Sequence, residues 1–130
     1  MDTSTLIAAA AATVGAFILG GLWYSPILFG KTWQRLSTYN ETSPPNPGVA
    51  YGGAFILLLL SAVIFGAFLG PNPSFGFAMG AALSAGFAWA AGSYWVSDLF
   101  EGRPLRLSLI NGGYMIGLFA IFGLAFGTIG

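Results

Sequence analysis

Four stretches of this chain, residues 5–23, 49–69, 75–96 and 107–129, contain no Lys, Arg, Asp or Glu. A helix needs ~20 mostly apolar residues, at ~1.5 Å rise each, to cross the hydrocarbon of a bilayer. Each stretch meets that length, so the pattern predicts an all-α integral membrane protein of four transmembrane helices, arranged as two helical hairpins in one domain over residues 1–130. Composition supports the lipid setting. Only 6% of the residues are charged and 56% are hydrophobic, whereas a soluble domain carries about a quarter charged residues.

The connections fit four crossings. Gly70-Pro71-Asn72-Pro73-Ser74 is a tight turn, because its prolines stop one helix and admit the next. Residues 37–48, with Pro44, Pro45 and Pro47, cannot be helical throughout. Residues 27–36 mix apolar side chains with Lys31 and Arg35, as a short interfacial helix does. All four basic residues, Lys31, Arg35, Arg103 and Arg106, fall in the first and third connections. The positive-inside rule then places those connections in the cytoplasm and both termini outside. Only Asp2 precedes the first apolar run. A cleaved signal peptide would have a basic start, so the first segment is expected to be a retained span.

Missing residue types narrow the chemistry. With no Cys and no His, the chain cannot supply a disulfide, a thiolate nucleophile, an iron–sulfur cluster or a zinc site of the usual ligands. Its net charge is zero, and nucleic-acid binding needs a basic face. Asp98, Glu101 and Tyr114 could move protons, yet no nucleophile, phosphate loop or metal cluster accompanies them. No enzyme activity, cofactor, metal or nucleic-acid partner is expected. A proton path is disfavoured as well, since none of the four stretches holds an ionisable Asp, Glu, Lys or Arg.

Small residues recur at four-residue spacing. The third stretch has Gly76, Gly80, Ser84, Ala88 and Gly92; the first has Ala8, Ala12, Ala16 and Gly20. The second has Ala62, Gly66 and Gly70, and the fourth has Gly113 with Gly117 and Gly123 with Gly127. In lipid, such rows let helix backbones approach closely, and they ordinarily pack a protein's own helices. Twenty glycines exceed what one internal interface requires, because each costs helix propensity. Some rows, Gly76, Gly80 and Ser84 foremost, are therefore expected to receive a partner's helices or a second copy of the chain.

Aromatic and polar residues gather at one end. Trp23, Tyr24, Trp33, Tyr39, Tyr51, Tyr94 and Trp95 lie toward the basic connections, with Trp89 and Tyr114 somewhat deeper. Such rings favour the headgroup level. Asp98, Glu101, Arg103 and Arg106 surround Gly102, close enough for ion pairs across the turn. Asn111 needs a hydrogen-bonding partner on a neighbouring helix; Tyr114 shares its face by i, i+3 spacing, and Ser93 and Ser97 are candidate partners. Trp23, Tyr24, Trp33, Phe100, Glu101 and Arg103 together form the expected anchor and partner surface.

The run from Gly21 to Lys31 is echoed from Gly92 to Arg103: an aromatic pair, Leu-Phe, Gly and a base recur in order. Tyr51-Gly52-Gly53 and Gly112-Gly113-Tyr114 then open the next stretches, which suggests two helix pairs related as parallel repeats. At these residues, WYSPILFGKTW (23–33) and LFEGRPLRLSLINGGY (99–114), the chain resembles the bacterial membrane proteins grouped as domain of unknown function 1761. The resemblance covers essentially the whole chain. It implies a small, multi-pass inner-membrane protein and brings no catalytic assignment. In that family the Gly-Tyr of the fourth span is often followed by His, where this chain has Met115, which favours a structural role.

The expected function is that of a non-catalytic subunit acting through helix packing in a larger inner-membrane complex, bioenergetic or transport. Its partners would be the bilayer and that complex or further copies of itself. The alternative is a small homo-oligomeric transporter or channel for a neutral solute, with a path along Ser93, Ser97, Asn111 and Tyr114.

Overall fold

Each of three spans begins where a side chain takes up N–H groups that a first helical turn leaves free. In a computed structural model, which describes residues 1–37 and 46–130, α1 (Thr3–Trp23) starts at Asp2, whose carboxylate accepts from the Thr5 amide at 2.8 Å and the Thr5 hydroxyl at 2.7 Å. The Asn46 side chain caps α3 (Pro47–Leu69), with Pro47 at the first helical position. Ser74 caps α4 (Phe75–Ala85), and Pro104 precedes α6 (Leu105–Thr128). Gly70 and Gly102, both at positive φ, end α3 and α5 (Gly92–Glu101). Four helical segments are long and apolar enough to cross a membrane: Thr3–Trp23, Pro47–Leu69, Phe75–Glu101 and Leu105–Thr128. The Pro71/Pro73 turn joins the second to the third. The expected irregular loop with Pro44 and Pro45, and Tyr39 of the aromatic group, lie outside the described residues.

Two boundaries differ from the sequence reading by more than two residues. The short helix of the first connection, α2, covers only Gly30–Leu36. Residues 27–29 instead form a tight turn, in which the Phe29 amide donates to the Trp23 carbonyl and the Gly30 amide to that of Ser25. Gly30 is required there, since a Cβ would collide with the Tyr24 and Ser25 backbone. The third span runs beyond residue 96 to Glu101 and contains a π-helical turn, Gly86–Ala91, between α4 and α5. It therefore carries a carboxylate, Asp98, within the helix. The inward face of α4 is Ala78, Ala82 and Ala85. Continued at 3.6 residues per turn, that face would next include Trp89 and Val96. A π turn shifts the register, so Trp89 is 74% exposed while Ala91 and Asp98 are buried.

Without a hydrophobic force to join helices in lipid, close backbone approach decides the arrangement. Helix α6 is the centre. It packs along α1 on one side and along α4 and the π turn on the other, and α3 packs on α1. The buried core is chiefly alanine, with Ala8, Ala12, Ala16, Ala62, Ala78 and Ala82 around Phe65, Phe122 and Phe126. The rows of small residues on α1, α3 and α6 serve these contacts, apart from Gly70, which ends α3. A Cβ on Gly66 would enter the Phe126 ring, one on Gly117 would reach Leu19 at 3.0 Å, and one on Gly123 would reach Ala82 Cβ at 2.9 Å.

Gly123→Leu is expected to lower stability by about 1–3 kcal/mol, the usual cost of overpacking a filled contact, read as a lower thermal midpoint in detergent micelles. Hydrogen bonds from Thr5 hold the Asp2 carboxyl below its ordinary pKa of 3.8. The cap is therefore complete above that value and is lost as pH falls through the lowered one. Protection of the first-turn amides of α1, measured relative to their intrinsic exchange rates at each pH, should fall on that acidification in the wild type and stay flat in Asp2→Asn.

Candidate functional site at the basic end

The glycine pair Gly112-Gly113 on α6 organises this end. A Cβ on Gly112 would collide with the Trp95 indole, and one on Gly113 would lie 2.9 Å from the Trp23 ring. Each indole N–H donates to an α6 carbonyl, Trp95 to Ser108 at 2.8 Å and Trp23 to Ile110 at 2.9 Å. Two helices are thus fastened to α6 by the same device, an aromatic ring seated on glycine with its polar tip bonded to backbone. The sequence echo does not extend to equivalent contacts, however. Under a strict repeat Tyr24, the counterpart of Trp95, would sit on Gly52-Gly53 of α3, but nothing lies within 4 Å of a Cβ built at either glycine.

Asn111 finds its partner on α1. The Tyr24 hydroxyl donates to its Oδ1 at 2.7 Å, and the Tyr114 hydroxyl donates to the Ala16 carbonyl at 2.9 Å. Tyr24 packs nearly at right angles against Tyr114, at 5.7 Å, and against Trp33 of α2, at 5.4 Å. Ser93 and Ser97 are exposed and do not join this cluster, so the four residues expected along a solute path are not brought together.

Asp98, 3% exposed, accepts from the Ser108 hydroxyl at 2.7 Å. The Arg103 Nε lies 3.7 Å from Asp98 Oδ1 and 2.7 Å from Glu101 Oε2. The expected ion pair across the turn is therefore formed, and the Glu101 hydrogen bond raises the Arg103 pKa above its ordinary value. Charge here fastens the α5–α6 turn. Among the described residues no group of three His, Cys, Asp or Glu is placed to hold a metal ion.

The expected partner surface divides in two. Trp23, Tyr24 and Trp33 turn toward the other helices, whereas Phe100 is 91% exposed and Leu99 projects outward as well. Gly76, Gly80 and Ser84 are all exposed, and a Cβ on Gly76 or Gly80 meets nothing within 4 Å. That row, continued by exposed Ala88, is thus unused by the protein's own packing. It borders a cavity of about 600 Å³ between α3 and the third span, lined by Ser84, Ala88, Trp89, Phe65, Phe68 and Ile64 among others. Sequence reasoning missed the buried role of Asp98 and the inward turn of Trp95. The adjacent glycines mid-helix were the available signal, because two such residues are costly unless something rests on them.

Tyr24→Phe leaves the buried Asn111 oxygen without its donor and should cost about 1 kcal/mol in unfolding free energy. Adding Asn111→Leu to that variant should cost less than Asn111→Leu costs alone, a coupling that a double-mutant cycle measures directly.

No curated protein matches the chain, and no solved structure matches it. The family model described as "Protein of unknown function (DUF1761)" matches residues 7–127. The matched region holds both tryptophan seats, the Tyr24–Asn111 bond and the Asp98–Ser108–Arg103 cluster, and the chain, with its four helices long and apolar enough to cross a membrane, belongs to that family.

Proposed function

We propose that this protein is a non-catalytic accessory subunit that works by helix packing within a larger complex of an inner membrane, bioenergetic or transport. The observation that carries this reading is the outward row Gly76, Gly80, Ser84 and Ala88, since close approach of backbones is what joins helices in lipid. The other rows of small residues carry contacts with helices of the same chain; a Cβ on Gly76 or Gly80 of this one meets nothing, and Ser84 and Ala88 are exposed. A glycine facing lipid loses helix propensity without any gain in contact, so a partner helix gives the row a purpose.

The polar residues support a structural role. The Tyr24 and Tyr114 hydroxyls, Asn111 Oδ1, Asp98 and Arg103 all make bonds between or within helices. In the membrane, the basic end with Lys31, Arg35, Arg103 and Arg106 faces the cytoplasm and both termini face the opposite side, as the positive-inside rule directs.

Gentle extraction from the native membrane followed by native mass spectrometry tests the reading. The wild-type chain should co-migrate with a constant set of larger membrane proteins at fixed stoichiometry. Gly80→Leu and Ser84→Leu should accumulate and melt like wild type yet migrate alone. A wild-type chain that migrates alone, or leucine variants that keep every partner, would overturn it.

A further inference from the structure

Helix α3 is buried mainly along its last third. Its buried residues, Ala62, Phe65, Gly66 and Leu69, lie near the Pro71/Pro73 turn, while most of its N-terminal half is exposed. Between that half, α1 and α6 lies a pocket of about 300 Å³, within the size range of small-ligand sites. Four aromatic side chains line it: Phe17 and Tyr24 from the α1 side, Tyr51 from α3 and Tyr114 from α6. Gly20 and Gly21 complete the α1 wall. A side chain at Gly20 would run into the Tyr114 hydroxyl at 3.0 Å, whereas Gly21 has open space around it.

What the pocket offers is set by what its groups have already spent. The phenol hydrogens of Tyr24 and Tyr114 go to Asn111 and to the Ala16 carbonyl, which leaves ring faces and phenol oxygens for a guest. A carbonyl-bearing guest, a quinone for example, finds only the hydroxyl of Tyr51, 58% exposed at the rim, to donate to it. Among the described residues no charged side chain lines the space, so an anion finds no counter-charge there. Ring faces are electron-rich and attract a cation without needing hydrogen bonds. The pairs Tyr24–Tyr114, at 5.7 Å and 68°, and Phe17–Tyr51, at 6.4 Å and 69°, meet at steep angles, so neither pair buries its faces by stacking. A primary ammonium would give up strong hydration and find few acceptors. A quaternary ammonium has no N–H to satisfy and is weakly hydrated, and aromatic cages are its recurrent receptor. The depth also suits one. Tyr24 directly follows α1 and Tyr51 lies in the first turns of α3, where spans leave the hydrocarbon for the headgroups.

We propose that Phe17, Tyr24, Tyr51 and Tyr114 form a binding site for a quaternary ammonium group, carried by a choline-type lipid headgroup or by a small free solute. The site is independent of the packing role assigned above. Titration of the purified full chain in a maltoside detergent, which contains no such nitrogen, tests it by calorimetry. The probes are choline, its neutral carbon isostere dimethylbutanol, dihexanoylphosphatidylcholine and dihexanoylphosphatidylglycerol. Saturable binding of choline or the choline lipid is expected, about tenfold or more tighter than the matching isostere or glycerol lipid. Choline bound as well as the choline lipid indicates a free solute, and preference for the lipid indicates a headgroup.

Tyr51 is 58% exposed, so Tyr51→Leu is expected to fold and melt like wild type while weakening binding about tenfold. Tyr51→Phe should bind nearly as wild type does, because the face and not the hydroxyl does the holding. Trp89→Leu, at an exposed ring remote from the pocket, should change nothing. Equal binding of dimethylbutanol and choline would show that the pocket takes apolar matter without regard to charge, and would overturn the proposal. So would the absence of saturable binding to either quaternary probe, or a Tyr51→Leu chain that binds as tightly as wild type.

Discussion

Close approach of α6 to the helices on both sides is the contact on which the rest depends. Lipid supplies no hydrophobic preference for one arrangement of leucines over another, so the backbones must come near enough for dispersion and shared hydrogen bonds to count. Ala78 and Ala82 of α4 meet Gly127 and Gly123 of α6, Trp23 and Leu19 of α1 meet Gly113 and Gly117, and larger apolar residues such as Leu57, Leu60, Ile64 and Phe68 are left facing outward. The distribution is inverted relative to a soluble bundle, with small residues inside and bulky ones at the rim. The exception is the π turn, where buried Gly86 takes the Phe119 side chain and the third span re-aims its remaining turns at α6.

The basic end shows how polar groups are added to such a frame without an unmet bond. Tryptophan and tyrosine hydroxyls and indoles reach backbone carbonyls or the one buried amide, and Asp98 is met by Ser108 and flanked by Arg103. Among the described residues no fully buried side-chain nitrogen or oxygen lacks a hydrogen-bond partner. In hydrocarbon an unpaired group costs several kcal/mol, roughly, so this closure holds α5, α1 and α2 at fixed depth on α6.

Much of the architecture was legible in the residues. Charge-free stretches gave the four spans, Pro71 and Pro73 the turn, and Asn111 announced its need for a partner. The direction in which each feature points was not. A row such as Gly76-Gly80-Ser84 looks the same whether it faces a neighbour or lipid, because spacing sets the face of a helix but not its rotation in the bundle. Aromatic residues near a membrane end read as headgroup anchors, yet Trp23 and Trp95 turn inward, a choice made by the glycines waiting on α6. The π turn left no mark in Gly86-Phe87-Ala88-Trp89-Ala90-Ala91, and the side chain that Gly86 packs against, Phe119, lies some thirty residues away. The effect of the turn is to bring Asp98 inward, which no helical wheel of the third span would show.

The centrality of α6 has a consequence for biogenesis. It is the last of the four spans in the chain, so a ribosome threads the other three into the membrane before their common partner exists. During that interval the Trp23 indole, the Tyr24 hydroxyl and the alanine faces of α1 and α4 have no seat. Helices α1 and α3 can pair at once through Ala62 and Gly66, but the third span must wait beside the insertion machinery or in lipid. Emergence of the Ser108–Gly113 segment is therefore the committing event. Before it the protein is a set of inserted helices; after it, a fold.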